Sequence, residues 1–201
     1  MSKIFDKIEF LLGAGNSQQF YQHHHPQLVF MGASNVGKSS LINALFGKKI
    51  AISSKTPGRT QQINFFLATD QKNHFVVADL PGYGFAKIAQ EQFYKISDLC
   101  LEFLVSLSNN QKSFIFLLLD PSKQLKSADI SALNFLQQQQ LNFYLIFTKI
   151  DKCNDTQISE LTQQITQIIP YFQEPFALVS SKNKTIIDLQ KKIIKHCLKN
   201  S

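Results

Sequence analysis

The stretch GASNVGKSS, Gly32 to Ser40, limits what this chain can fold into more than any other part of it. It fits the spacing G-x-x-x-x-G-K-[ST], with Gly32, Gly37, Lys38 and Ser39 in the fixed places. Such a loop wraps nucleotide phosphates with backbone N–H groups, and it needs a strand before it and a helix after it. The flanks supply both. Leu28-Val29-Phe30-Met31 reads as a buried strand, and Ser40-Leu41-Ile42-Asn43-Ala44-Leu45-Phe46 reads as a helix that starts at the phosphates. That helix end carries unpaired N–H groups and positive dipole, both favourable to anions. Lys38 can reach the β- and γ-phosphates, and the Ser39 hydroxyl can join a Mg²⁺ shell.

The rest of the chain alternates strand and helix patterns. Residues 61–67 and the run Phe75-Val76-Val77-Ala78 read as two strands joined by a short polar turn, a hairpin that places one antiparallel strand in the sheet. Apolar strands follow at 114–119, 143–147 and 176–179, with helical patterns at 88–107, 127–140, 158–169 and 186–198 between and after them. The expected fold is therefore an α/β three-layer domain, with a mostly parallel six-stranded sheet covered on both faces. Ahead of it, Ile4, Phe5, Ile8, Leu11 and Leu12 fall on one helical face. Residues 1–25 are thus expected to be a helical extension and residues 26–201 the domain itself. The run His23-His24-His25 in that extension reads as a solvated loop, because adjacent side chains point apart.

Composition narrows the setting. With 201 residues, 44% hydrophobic, the chain suits one domain with a sizeable core, and its 18 Phe with no Trp make that core aromatic. No apolar run approaches the roughly 20 residues that span a bilayer. Cys100, Cys153 and Cys197 are three, far apart and without C-x-x-C spacing, which favours a reducing cytoplasm over disulfides or zinc. Net charge is +7, but Arg59 is the only arginine, so contact with a nucleic-acid backbone fits better than base-specific readout. The line Lys191, Lys195, Lys199 on the last helix is either an RNA contact or a solvated face.

In a parallel sheet, ligands sit at the carboxyl ends of the strands. After Ala78 comes Asp79-Leu80-Pro81-Gly82, where a carboxylate can hold the Mg²⁺ shell and the Gly82 N–H can sense a γ-phosphate. After Phe147 comes Thr148-Lys149-Ile150-Asp151. A carboxylate at Asp151 can accept from both N1–H and the N2 amino group of guanine, a donor pair that adenine lacks. After Val179 comes Ser180-Ser181-Lys182, where a backbone N–H could meet guanine O6. The polar loop through Pro57-Gly58-Arg59 ends at Thr60, whose hydroxyl could complete the Mg²⁺ shell when GTP is bound. Tyr83 stands where a water-orienting Gln would be expected, which implies slow turnover. Asn35 either shapes its loop or, as in GTPases that resemble this chain, helps hold a K⁺ against the phosphates; Lys38, Asn35, Thr60 and Gly82 are the candidate catalytic set.

The segments GASNVGKSSLINAL, SKTPGRTQQINFF, DLPGYGFA, FTKIDK and VSSK together resemble the EngB (YihA/YsxC) family of Era-like bacterial GTPases. The resemblance implies a Ras-like P-loop NTPase domain that binds GTP and GDP with Mg²⁺ and hydrolyses GTP. It also implies a cytoplasmic, monomeric protein acting in assembly of the large ribosomal subunit, with a link to cell division and septation. The implied nucleotide contacts are Gly32, Ala33, Ser34, Asn35, Val36, Gly37, Lys38 and Ser39 in the first loop and Gly58, Arg59, Thr60, Gln61 and Gln62 in the second. Asp79, Leu80, Pro81 and Gly82 form the third set, Thr148, Lys149, Ile150 and Asp151 the fourth, and Val179, Ser180 and Ser181 the fifth. Ser39, Thr60 and Asp79 are the implied metal ligands. The chain departs from the family pattern at Ala33, at Asp120-Pro121-Ser122 and after Ser181, where the usual basic residues and glycine are replaced.

Overall fold

The apolar runs behind the glycine-rich loop form the centre of one sheet. In the computed structural model, which describes residues 5, 7–51, 62–70, 73–84, 90–108, 110–180 and 183–198, they are β2 (Gln27–Gly32), β5 (Ser113–Leu119) and β6 (Phe143–Phe147). Every residue of β2 and β5 is buried, as strands covered on both faces must be. β1 (Lys7–Ala14), β3 (Ile63–Asp70), β4 (Asn73–Asp79) and β7 (Ala177–Leu178) complete the sheet, in the order β1-β3-β4-β2-β5-β6-β7.

Side chains alternate between the two faces with the strand period of two. Leu28, Phe30, Phe116 and Leu118 point to one side, where α1 (Lys38–Phe46) and α5 (Asn183–Ile193) cover them with Ile42, Leu45, Leu189 and Ile193. Val29, Met31, Ile115 and Leu117 point to the other. There α2 (Gln90–Ser106), α3 (Ser127–Gln138) and α4 (Asp155–Ile168) supply Phe103, Leu133, Leu136, Leu161 and Ile165. Six phenylalanines, Phe30, Phe65, Phe66, Phe75, Phe116 and Phe147, are among the largest side chains wholly removed from solvent. The aromatic core expected from the composition is there.

β2 is parallel to β4 and β5, β5 to β6, and β6 to β7. Their carboxyl ends therefore open on one edge of the domain. β3 is antiparallel to both β1 and β4, which makes it the single strand running against the others.

The expected amphipathic helix at residues 4–12 is instead β1, and the sheet has seven strands, not six. Two causes defeat the helical reading. β3 would otherwise present an open edge of unpaired backbone groups, and β1 pairs it from Lys7↔Thr69 to Ala14↔Ile63. A bulge between Phe10 and Leu12 breaks the alternation, so that Phe10, Leu11 and Leu12 are apolar in succession and mimic helical spacing. Further on, α5 begins three residues before the expected start, at Asn183, and closes in a π turn over Ile194–Leu198. Of the histidine run, His24 and His25 are exposed, and the His23 ring stacks on Tyr21 at 5.4 Å.

Candidate nucleotide site

The glycine-rich loop crosses from β2 to α1. Gly37 is the helix N-cap at φ 112°, a conformation costly for any residue with a Cβ. A Cβ on Gly32 would lie 2.9 Å from the Leu118 carbonyl oxygen. Between them the loop is anchored by Val36, whose side chain is buried in the core on the α1 and α5 side. The N-cap Gly37 offers no side chain to cap the start of α1 and no acidic residue stands in its first turn, an arrangement suited to an anion. Lys38, in that first turn, is buried and ion-paired with Asp79 at the end of β4. The residue expected to reach phosphates and the one expected to hold Mg²⁺ are thus in direct contact.

The segment after Asp79 folds back over the loop. The Leu80 N–H donates to Phe30 O at 3.1 Å, and the Tyr83 N–H donates to Gly32 O at 3.3 Å. In return the Ser34 N–H donates to Tyr83 O at 2.9 Å, and the Ser34 hydroxyl donates to the same oxygen at 3.2 Å. Gly82 sits so close that an added Cβ would lie 3.1 Å from Ser34 Oγ and 3.2 Å from Ser34 Cα and N. The Tyr83 ring turns away, and its hydroxyl donates to Asp129 Oδ1 at 2.9 Å. Burial, and then the neighbouring Asp129 carboxylate, push that hydroxyl well above the ordinary tyrosine range, so it stays a donor.

At the end of β6, Thr148 and Lys149 tie three strand-end loops together. The buried Thr148 hydroxyl donates to Val36 O at 2.7 Å, and Leu119 O lies 3.2 Å away. The Lys149 ammonium donates to Asn35 O and to Asp120 Oδ2, both at 2.7 Å. Asp120 also accepts from the Ser122 hydroxyl at 2.6 Å. Burial works against its ionisation, but the hydrogen bonds from Lys149 and Ser122 outweigh it and hold the carboxyl below its usual value. Beside this clamp is a cavity of about 300 Å³ lined by Gly37, Thr148, Lys149, Asp151, Val179 and Ser180. The structure therefore brings the first-loop glycine Gly37, Asp151, which is expected to read the base, and the loop after β7 around one space. The Ile150 N–H donates to Val179 O at 3.3 Å, joining the last two loops.

Gly58, Arg59, Thr60, Gln61 and Ser181 lie outside the described residues; Gln62 is exposed just before β3. Asn43 of α1 anchors the segment leading toward them. Its side chain accepts from the Ile50 and Ala51 N–H groups at 2.8 and 2.9 Å and donates to Ala51 O at 2.8 Å. Two residues in contact with the site escaped the sequence reading. Asp120 had a usable signal, since it is a carboxylate directly after a buried strand. Asp129 had none, because only the fold brings it to Tyr83. The thiols of Cys100 and Cys197 are pushed up to about 12 by burial, which leaves them unreactive.

Comparison with known proteins places this geometry. Residues 27–149 match the sequence model of the 50S ribosome-binding GTPase family. The probable GTP-binding protein EngB of Mycoplasmopsis synoviae is 38% identical over 93% of this chain and 97% of its own length. Its counterpart in Caulobacter vibrioides is 33% identical over 95% and 83%. Among solved structures, a probable GTP-binding protein EngB superposes with a TM-score of 0.64 at 25% identity, covering 84% of this chain and 97% of the other. Era of Aquifex aeolicus, bound to GDP and AlF₄⁻, superposes at 0.69 with 22% identity over 87% and 57%, a likeness of fold. A loop built for phosphates, a clamp built behind it and relatives matched over nearly their whole length lead to one conclusion: this chain belongs to the EngB family of P-loop GTPases.

Proposed function

We propose that this chain is a slowly hydrolysing GTP switch that acts in assembly of the large ribosomal subunit and is needed for normal cell division and septation. The observation that carries the switch is the packing of Gly82 and Tyr83 onto Ser34. The segment that would sense a γ-phosphate is hydrogen-bonded to the phosphate loop itself. A γ-phosphate placed between them must move one relative to the other, which gives GTP and GDP different binding energies in two arrangements. The description of the matching family as ribosome-binding, together with a charge of +7, supports the ribosomal partner, rRNA backbone and ribosomal proteins included.

The donor set fits Mg²⁺, since the Ser39 hydroxyl and the Asp79 carboxylate are hard oxygen ligands at the start of α1 and the end of β4. Bound there with the nucleotide, Mg²⁺ would neutralise charge on the phosphates. Lys38 would turn from Asp79 to the phosphates, and Thr60 would add a hydroxyl. Turnover is slow because Tyr83 carries no water-orienting group toward the loop and its hydroxyl is committed to Asp129. Asn35 is at φ 63°, a conformation that asparagine tolerates, so loop shaping accounts for its presence, while its exposed side chain leaves it able to help hold K⁺. Asp151 reads guanine. The protein is a cytoplasmic monomer in this reading; no helix among the described residues is long and apolar enough to cross a membrane.

The deciding experiment is cosedimentation with large-subunit precursors and with membranes, in GDP and in a non-hydrolysable GTP analogue. Particle association that rises with the analogue supports the reading. Association with membranes alone, through protein partners, would replace it with a division-site switch.

A further inference from the structure

A second groove lies at the other end of the sheet. Phe143 and Tyr144, which open β6, line it, whereas Phe147 at the far end of the strand leads into the nucleotide site. At strand rise the two ends are about 13 Å apart. The groove encloses about 550 Å³ between the loop before β7 and the last turns of α5. Its walls are aromatic and basic. A ladder of rings runs outward from the core: Phe116 to Tyr144 at 5.8 Å, Tyr144 to Phe176 at 4.7 Å, and Phe176 to His196 at 5.9 Å. Lys192 lies over the Phe176 ring at 5.7 Å and donates to Phe176 O at 2.8 Å, so its cation is held in place at the rim. Tyr171 stands at the mouth, 82% exposed.

Core packing explains Tyr144 and Phe176 but not Tyr171, whose ring meets water on most of its surface. We propose that this groove binds single-stranded RNA, with a base stacked on Tyr171 and the backbone running along Lys192 and His196. An exposed aromatic ring beside lysine cations supplies the two parts such a site needs, since every base has a π-face and every linkage an anion. Lys191 and Lys195, both exposed, extend the row along the same helix end, and Glu174 is the one acid on the lining among the described residues. Duplex RNA would not serve, because its bases are already stacked on one another. Base choice should be weak, as lysine and histidine here replace the arginine that makes most bidentate base contacts. The inference deepens the ribosomal reading and rests on it for the source of the RNA, but the groove can be tested alone.

The test is fluorescence anisotropy with labelled RNA strands of about 12 nucleotides, matched to the usual site size, against the GDP-loaded full chain over a KCl series. Oligo(U), oligo(A) and a duplex of equal length are the probes. Both single strands are expected to bind better than the duplex. Tyr171→Ala should weaken them by roughly 5- to 150-fold, the worth of one stacked base. Lys192→Gln should flatten the log–log salt slope by about 0.7. Tyr171→Trp should keep binding and give an indole signal that RNA quenches, with no native Trp to obscure it. Equal binding of the duplex, no binding of any strand, or affinity unmoved by Tyr171→Ala overturns the proposal. Loss of particle association in Tyr171→Ala with unchanged strand affinity assigns the groove to a protein and overturns it too. If strands bind as expected while the wild type fails to sediment with particles, the groove stands and the ribosomal reading falls.

Discussion

Replacing Lys149 with Met keeps an unbranched apolar stem and removes the ammonium that joins three loops. Two hydrogen bonds of 2.7 Å disappear, one to Asn35 O and one to Asp120 Oδ2. Asp120, whose side chain is 6% exposed, is left with Ser122 as its short hydrogen-bond donor. Removing one partner of a wholly buried pair costs about 3–5 kcal/mol. The Lys149 side chain is 28% exposed, so water screens the pair and a loss of about 2 kcal/mol is the better figure. For a chain of this size that is a fall of roughly 4–8 °C in Tm. The pH dependence identifies the cause. In the folded protein the Asp120 carboxyl is held below its ordinary value of 3.8. A depressed carboxylate contributes stability that is complete above that value and is lost as pH falls through the folded one. The gap between wild type and Lys149→Met should be constant from neutral pH to about 5 and close on further acidification below the ordinary carboxylate range. Circular dichroism melts of the nucleotide-free proteins across that range supply the measurement. Equal Tm values, or a gap that does not narrow in acid, would refute the idea that Lys149 acts on Asp120.

Two further outcomes follow from the loop geometry. Gly82→Ala places a methyl 3.1–3.2 Å from Ser34, which should strain the packed arrangement and push the sensor segment off the phosphate loop, as a γ-phosphate would; competition binding should show GDP losing roughly tenfold more affinity than GTP, within the about 1–3 kcal/mol that overpacking costs. Equal losses for both nucleotides would mean that Gly82 does not sense the γ-phosphate. For Asn35, single-turnover hydrolysis in KCl and NaCl at equal ionic strength should show a K⁺ advantage that both Asn35→Ala and Asn35→Gly abolish. Glycine is the needed control, because alanine at φ 63° adds about 1–2 kcal/mol of backbone strain on its own. A K⁺ advantage that survives in Asn35→Gly would leave Asn35 as a loop-shaping residue.

What could be read from the sequence was local. The phosphate loop, Asp79 with Gly82, and Thr148 with Asp151 are contiguous motifs placed directly after buried strands, so strand order alone aligns them on one edge. The features that could not be read are those that depend on a distant partner. β1 is a strand because β3 has an edge to fill, and its bulge disguised the period. The Asp120–Ser122 segment looked like a departure from the family pattern. In the fold, Asp120 is the counter-ion of Lys149, and Ser122 holds it by a short hydrogen bond. The Tyr83–Asp129 bond joins residues with no shared motif, and only the crossing of the Gly82 segment over the loop makes it possible.

The assignment of Asp151 as the base-reading residue is tested most directly by one pair of calorimetric titrations. Wild type and Asp151→Asn are each titrated with GTP and with XTP. An amide at this position can donate to the xanthine 2-oxo group but cannot accept from both guanine donors. The variant should lose GTP affinity by a factor that can approach roughly 10⁴ and should gain XTP, while the wild type takes GTP and refuses XTP. Tight GTP binding by Asp151→Asn, with nothing gained for XTP, would contradict the placement of the base in the cavity between Asp151, Lys149 and Ser180.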